Sequence, residues 1–180
     1  RVEILLRGTG LDLVEVRDDG DGVCEKNHSA LCLKHHTSKI RNFDDLLGVT
    51  SFGFRGEALS SLCALGDVEI TTRTADDVAA FKLTYDHDGK ISRTERVART
   101  RGTTVRITNL FQKWPVRLQE FRRNARHEYG RTVKVIHAYA IMNHHARISL
   151  STTGITARGG GGAGDSSSST GGVGGSSSSS

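Results

Sequence analysis

Three short stretches carry residue types that handle anionic ligands. They are Asp18-Asp19-Gly20-Asp21-Gly22, then Thr37-Ser38-Lys39, then Gly53-Phe54-Arg55-Gly56 running into Glu57-Ala58-Leu59. A carboxylate such as Asp18 accepts a hydrogen bond from the exocyclic amine of a base, and missing Cβ atoms at Gly20 and Gly22 let a ligand touch backbone. Two hydroxyls and an ammonium on one segment suit phosphate oxygens. A glycine turn entering a helix offers unpaired N–H groups and the positive end of the helix dipole, both favourable to an anion. Taken singly, each stretch has a plainer reading: a turn with solvated acids, a polar helix end, and a tight loop whose Arg55 makes a surface ion pair.

Other chemistries fail on spacing. Counting from Asp18, positions three and five of a calcium loop are Gly20 and Gly22, and position twelve is Ser29 instead of Glu. Gly48-x4-Gly53 is followed by Phe54-Arg55 and lacks the Lys-Ser/Thr of a P-loop. Cys24, Cys32, His35 and His36 match no common zinc spacing and have no second ligand pair elsewhere. The eight histidines include pairs at 35–36 and 144–145, but no Gly-x-Ser-x-Gly elbow accompanies them.

The elements that must position these residues follow from periodicity. Residues 2–6 and 11–17 read as a hairpin around Gly8-Thr9-Gly10, and alternation puts Val14, Val16 and Asp18 on one face, toward the interior. Residues 26–34 are expected to be helical, Asn42 to cap a short turn through 47, and residues 57–65 to form a short helix ending in a left-handed cap at Gly66. From Asp67 the period changes to two, which predicts about four antiparallel strands with Asp88-Gly89 as a hairpin turn. Pro115 opens the longest helix, with Phe121, Ala125, Tyr129, Val133, Ile136 and Ala140 as its apolar stripe and Arg122, Arg123, Arg126 and Arg131 mostly away from it. Residues 146–152 return to strand. The pattern predicts an α/β two-layer sandwich of a mixed, mostly antiparallel sheet and helices, in place of a βαβ repeat.

Composition bounds the rest. The last 22 of 180 residues contain nine glycines and nine serines, so residues 154–180 are read as a disordered tail and residues 1–153 as one domain. Three cysteines without a preceding apolar segment argue against a disulfide framework. No stretch approaches 18 consecutive apolar residues, the length a spanning helix needs. A net charge of +5 suits an acidic partner, nucleic acid or nucleotide. The chain opens on strand-like residues without an initiator Met, which leads to the expectation that an N-terminal segment is missing.

Taken in chain order, DDGDG, KHHTSKI, FGFRGEALSSL, GTTVRITNLF and WPVRLQEF resemble the MutL family of mismatch-repair ATPases, part of the GHKL superfamily. KHHTSKI and FGFRGEALSSLCAL are most similar to the eukaryotic post-meiotic-segregation branch. The resemblance covers roughly residues 2–153. It implies a GHKL (Bergerat) ATPase fold with its first strand-helix portion missing, and a nuclear protein. It further implies ATP and Mg²⁺ as cofactors and mismatched double-stranded DNA as partner. A paralogous MutL homologue would be its heterodimer mate, and MutS-type proteins its upstream partners. By resemblance, Asp18 would hold the adenine amino group, and Gly20 and Gly22 would line the base pocket. Thr37, Ser38 and Lys39 would belong to the lid, and Gly53, Phe54, Arg55, Gly56, Glu57, Ala58 and Leu59 would wrap the triphosphate. Thr103 would support the adenine side through the sheet, and Arg122, Arg123, Arg126 and Arg131 would face DNA.

Some positions depart from the family pattern. Asp19 stands where Asn is usual and Asp21 where a small residue is usual, so extra negative charge is expected to weaken nucleotide binding somewhat. The family's general-base Glu and Mg²⁺-binding Asn, four residues apart, have no counterpart except Glu120 and Asn124 in the long helix, the wrong element. The expectation is an ATPase domain that does not hydrolyse ATP alone. The alternatives are a basic DNA-binding remnant with a vestigial pocket, and a scaffold tethered by its tail.

Overall fold

Alternation of apolar with polar residues along 68–72 and 103–107 makes strands with one dry face, and the chain pairs them accordingly. The computed structural model describes residues 1–34, 36 and 56–154. Among these, one sheet holds β1 (Val2–Arg7), β2 (Leu13–Asp18), β3 (Asp67–Arg73), β4 (Ala80–Tyr85), β5 (Ile91–Val97), β6 (Gly102–Thr108) and β7 (Ile148–Thr153). Their spatial order is β5-β4-β3-β6-β2-β1-β7. Each neighbouring pair is antiparallel except β1 and β7, which run parallel. This is the mixed, mostly antiparallel α/β sandwich that the periodicity predicts.

Register fixes which side chains share a face. Val14 sits opposite Ile107 and Val16 opposite Val105, while across β6 Ile70 faces Val105 and Thr72 faces Thr103. Residues directly opposite lie on the same side of a sheet. Val68, Ile70, Leu83, Tyr85 and Ile107 are buried on that side, with Val14, Leu59 and Leu62 packed against them. Burying such side chains contributes roughly 1.5–3 kcal/mol each. Helix α1 (Ala58–Leu65) lies on this face against β3. Asp18, two residues beyond Val16, therefore points to the helical side, as alternation requires.

Helix α2 (Pro115–Met142) begins with a proline at its first position, where the missing N–H would have no partner anyway. Phe121, Ala125, Tyr129, Val133, Ile136 and Ala140 are all partly buried and Arg122, Arg123, Arg126 and Arg131 exposed, as the stripe predicts. The Phe121 ring meets Phe111 edge-on at 5.7 Å. The Thr152 hydroxyl donates to the Tyr129 hydroxyl at 3.2 Å. Because Thr152 pairs with Leu6, and Leu6 with Val14, α2 covers the same face as α1.

Several local expectations are corrected. Gly66 is not a left-handed cap: its backbone is extended, at φ −165°. A Cβ there would sit 2.8 Å from the Thr108 carbonyl, so close approach to β6 explains the glycine. In place of a helix over 26–34 there is a 3-10 helix, Glu25–Ala30. Its His28 ring turns inward to the Val23 carbonyl, and its His28 carbonyl accepts from the Tyr85 hydroxyl, bonds that compete with an α-helical ladder. The second strand begins at Leu13, because Leu11 and Asp12 donate to the Gly8 and Arg7 carbonyls and finish the turn. The Asn42 cap lies outside the described residues.

Candidate functional site

Asp18 ends β2 where the sheet's helical face meets the Gly-rich turn. Its Oδ1 accepts the N–H of Gly20 at 2.9 Å and the N–H of Thr103 at 3.1 Å. The second bond crosses from β2 to β6, so the carboxylate is held by a strand 85 residues away in sequence. Among the described residues, Oδ2 accepts no hydrogen bond. A half-buried carboxylate with one oxygen fixed and the other open is an acceptor aimed at a donor-bearing ligand.

The turn after Asp18 is fastened from below. Val23 donates its N–H to the Thr72 hydroxyl at 2.8 Å, and its carbonyl meets His28 Nε2 at 2.9 Å. A carbonyl only accepts, so that ring nitrogen carries the proton. The His28 ring stacks edge-on against Phe81 at 5.2 Å. Thr72 is fully buried, and its hydroxyl also lies 3.3 Å from the Thr103 hydroxyl and 3.4 Å from the Gly102 carbonyl.

The glycines are there for the protein's own backbone. Gly22 has φ +78°, and a Cβ there would collide with the carbonyl of Arg73. Gly102 has φ +121° and would collide with the carbonyl of Asp18. At Gly20 a Cβ would stand 2.9 Å from Asp18 Oδ1. The fold by itself requires both positions to lack a Cβ, so that the turn can close onto Asp18 and β3.

Arg99 braces the outside of the same corner. Its guanidinium donates to the Asp18 carbonyl at 3.2 Å and to the Thr104 hydroxyl at 2.9 Å. Partial burial pulls its pKa below the usual arginine value, and the nearby Asp18 charge opposes that shift. Asp19 and Asp21 are exposed; Asp19 pairs with the ammonium of Arg1 at 2.6 Å, and Asp21 has Arg101 at 3.8 Å.

Gly56, Glu57, Ala58 and Leu59 stand at the start of α1, which packs on β3, the strand that carries Thr72. Gly56 has φ +62°, and Leu59 is partly buried and packs against the core. Thr37, Ser38, Lys39, Gly53, Phe54 and Arg55 lie outside the described residues. Arg122, Arg123, Arg126 and Arg131 are exposed on α2, and Arg131 is paired with Glu128 at 3.2 Å. The structure thus brings Asp18, Gly20, Gly22 and Thr103 into one cluster.

Sequence reasoning missed Thr72, His28 and Arg99. Thr72 had a readable signal: it continues the buried period-two face of Val68 and Ile70, a polar residue where an apolar one is due. Arg99 and His28 lie in connecting segments and carried none.

A groove of about 620 Å³ begins at Asp18 and Asp19 and is lined further by Glu15, Arg17, Lys82, Arg99 and Arg106. Its charges answer one another. Glu15, 6% exposed, pairs with Arg17 at 2.7 Å and Arg106 at 3.5 Å, and Lys82 pairs with Glu69 at 2.9 Å. We place the candidate site at the Asp18 cluster, because Glu15 and Glu69 farther along the groove are already engaged. Among the described residues no group of three His, Cys, Asp or Glu side chains is gathered to hold a metal, and Cys32 is buried in the core.

No family model matches the chain. It is 51% identical over 148 residues to the human mismatch repair endonuclease PMS2, covering 82% of this chain and 17% of that protein. It is 48% identical over 152 residues to the Arabidopsis thaliana DNA mismatch repair protein PMS1, covering 84% and 16%. The chain thus spans about a sixth of the length of these curated relatives. Among solved structures, the N-terminal domain of a DNA repair protein superposes with a TM-score of 0.71 at 39% identity, covering 86% of this chain and 44% of that one. The Aquifex aeolicus MutL ATPase domain complexed with ADP gives 0.58 at 21%, covering 85% and 52%, a likeness of fold. The chain belongs to the MutL family of DNA mismatch repair proteins, in its PMS branch.

Proposed function

We propose that residues 1–153 form the ATP-binding part of a mismatch-repair ATPase, and that ATP is held at the Asp18 cluster. The observation that carries this is the Asp18 carboxylate, whose Oδ1 is fixed by the Gly20 and Thr103 N–H groups while Oδ2 accepts no hydrogen bond among the described residues. The exocyclic amine of adenine is the donor such an oxygen accepts, and guanine offers a carbonyl there instead. The neighbouring structure complexed with ADP has the same fold, which supports a nucleotide as the ligand class.

In this reading Thr37, Ser38, Lys39, Gly53, Phe54, Arg55 and Gly56 serve the phosphates, together with the start of α1. No residue of the chain is assigned to Mg²⁺. Glu120 and Asn124, the one Glu-x3-Asn pair, are exposed on α2. We therefore propose that the chain binds ATP without turning it over by itself, since a positioned general base supplies roughly 10²–10⁴-fold. Binding would be coupled to closure with a paralogous partner in the nucleus, and to contact with mismatched DNA and MutS-type proteins. Residues 154–180 would be a tail that adds nothing to the fold.

Calorimetric titration of the 180-residue chain with ATP tests the reading. Saturable ATP binding without phosphate release is expected, and GTP is expected to bind far more weakly. Equal affinity for the two nucleotides, or none for ATP, would sink it.

A further inference from the structure

Where β3 turns into β4 and β5 leads into β6, a second cleft of about 680 Å³ opens between the two connections. Arg73, Arg96 and Arg99 line it together with Val78 and Val97, and no acidic residue does. Among the described residues none of the three arginines forms an ion pair. Their hydrogen bonds run to neutral oxygens. Arg73 donates to the carbonyls of Asp77 at 3.1 Å and Arg99 at 2.9 Å. Arg99 donates to the carbonyls of Asp18 at 3.2 Å and Thr100 at 3.1 Å, and to the Thr104 hydroxyl at 2.9 Å. Such bonds hold a guanidinium in place and leave its charge unanswered.

Arg96 is the freest of them. It pairs in register with Phe81 near the end of β5, its guanidinium lies over the Phe81 ring at 5.1 Å, and it makes no hydrogen bond among the described residues. A planar cation on an aromatic face leaves its N–H fork available to a carboxylate, which it can meet with two bonds. Neighbouring acids are engaged elsewhere: Glu95 with Arg93 at 2.5 Å, Asp77 Oδ2 with Thr74, and Asp18 Oδ1 with the Gly20 and Thr103 N–H groups. Asp76, in the same turn as Asp77, is exposed and does not line the cleft. Val78, 92% exposed, and Val97 set an apolar wall beside the cations.

The strand that carries Arg96 adds a second feature. Among the described residues β5 is an edge of the sheet, paired with β4 alone, so its outer rim holds N–H and C=O groups open to another strand. An extended peptide laid on such a rim gains main-chain bonds and turns alternate side chains to one side. Nucleic acid has no backbone amides to offer the rim. Guanidinium charge, an apolar wall and a sheet edge therefore meet at the end of one strand. We propose that this corner is a docking site for an acidic peptide segment of a partner protein. The segment adds to the edge of β5 and sets a carboxylate, flanked by small apolar side chains, on Arg96, with Arg73 and Arg99 supplying further positive charge. Nothing in this arrangement depends on a bound nucleotide.

The probe is a short fluorescein-labelled peptide alternating glutamate with valine, titrated by anisotropy against the 180-residue chain. Its controls are a peptide alternating lysine with valine, versions of the glutamate peptide N-methylated on one or the other alternate set of amides, and a single-stranded oligonucleotide of equal charge. Saturable binding of the glutamate peptide is expected, with the lysine peptide at least about tenfold weaker. Arg96→Gln should weaken the glutamate peptide about tenfold or more, as the loss of a charge-assisted pair does. Arg96→Glu should reject that peptide and accept the lysine one, and should Arg96→Glu not fold, Arg96→Gln carries the test. One of the two N-methylated versions should lose binding, because its methyl groups face the rim. No binding of the glutamate peptide, equal binding of the lysine peptide, or an unchanged affinity in Arg96→Gln would overturn the site. If both N-methylated versions bind like the parent, the pairing with β5 is wrong. An oligonucleotide that binds more tightly than the peptide, and loses its grip in Arg96→Gln, would make the cleft a phosphate site and overturn the peptide as its occupant.

Discussion

The backbone N–H of Thr103 donates to Asp18 Oδ1 at 3.1 Å, tying the end of β2 to the start of β6. Because Gly20 donates to the same oxygen at 2.9 Å, that oxygen serves the fold, and the proposed ligand would meet its twin. This division predicts how two substitutions differ. Asp18→Asn keeps an oxygen for both N–H groups, so stability should change by less than about 1 kcal/mol, but its amide NH₂ can replace the free acceptor by a donor. ATP affinity is expected to fall at least tenfold. Asp18→Ala strands two N–H groups and should lose about 1–3 kcal/mol as well. Urea unfolding and ATP titration on both variants check the split. A stable Asp18→Asn that binds ATP normally would refute it.

Gly22 rests on the carbonyl of Arg73 at φ +78°. Gly22→Ala meets both a left-handed backbone and a collision with main chain that no rotamer can relieve. A loss of at least about 1–2 kcal/mol is expected. Gly20→Ala meets only the Asp18 carboxylate, a side chain able to shift, and should cost less stability while disturbing the nucleotide site more. Denaturant midpoints together with ATP affinities rank the two, and the reverse order of stability loss would contradict this account of the turn.

Much of this was legible before any coordinates. Val14, Val16 and Asp18 could be placed on one face because a strand's period of two leaves no freedom, and Pro115 opened α2 because proline suits a first helical position. The order of DDGDG, KHHTSKI and FGFRGEALSSL gave the family. What escaped was set by contacts between segments distant in sequence. Gly66 followed by a strand reads like a helix cap, and only the approach of Thr108 shows its real use. Thr72 is one threonine among many until β6 brings Thr103 opposite it. His28 belongs to a segment with helical composition, and its tertiary bonds to Val23 and Tyr85 decide the 3-10 geometry.

The turn after β3 should be acid-sensitive. Asp77 Oδ2 accepts the Thr74 hydroxyl at 2.6 Å and the Thr74 N–H at 2.8 Å, and these bonds hold its carboxyl below the usual aspartate value. A carboxylate depressed in the folded state adds stability above its unfolded pKa, near 3.8, and that contribution disappears as pH falls through the lower folded value. The difference in urea midpoint between wild type and Asp77→Asn is expected to be present at neutral pH and to vanish at strongly acid pH. Since Arg73 and Thr74 also seat Gly22, ATP affinity of the wild type should weaken over the same window. A difference that stays constant with pH would mean the two bonds do not hold the turn.

The exposed arginines of α2 give the last prediction, because counterion release turns each phosphate contact into a measurable slope. Arg122, Arg123 and Arg126 are exposed on α2, away from its apolar stripe. Arg131 is engaged by Glu128 at 3.2 Å, and Glu128 also has His127 at 3.6 Å. If this face meets DNA, replacing any of the first three by alanine should lower the magnitude of d log K/d log[salt] by about 0.9. Arg131→Ala should lower it less, since its charge is already partly answered. Fluorescence anisotropy with a mismatched duplex between 50 and 200 mM salt reads the slopes directly. Four variants with the wild-type slope would move any DNA contact off α2. Equal losses at all four would mean that the Arg131 pair opens on binding, which an exposed pair worth roughly 0–1 kcal/mol permits.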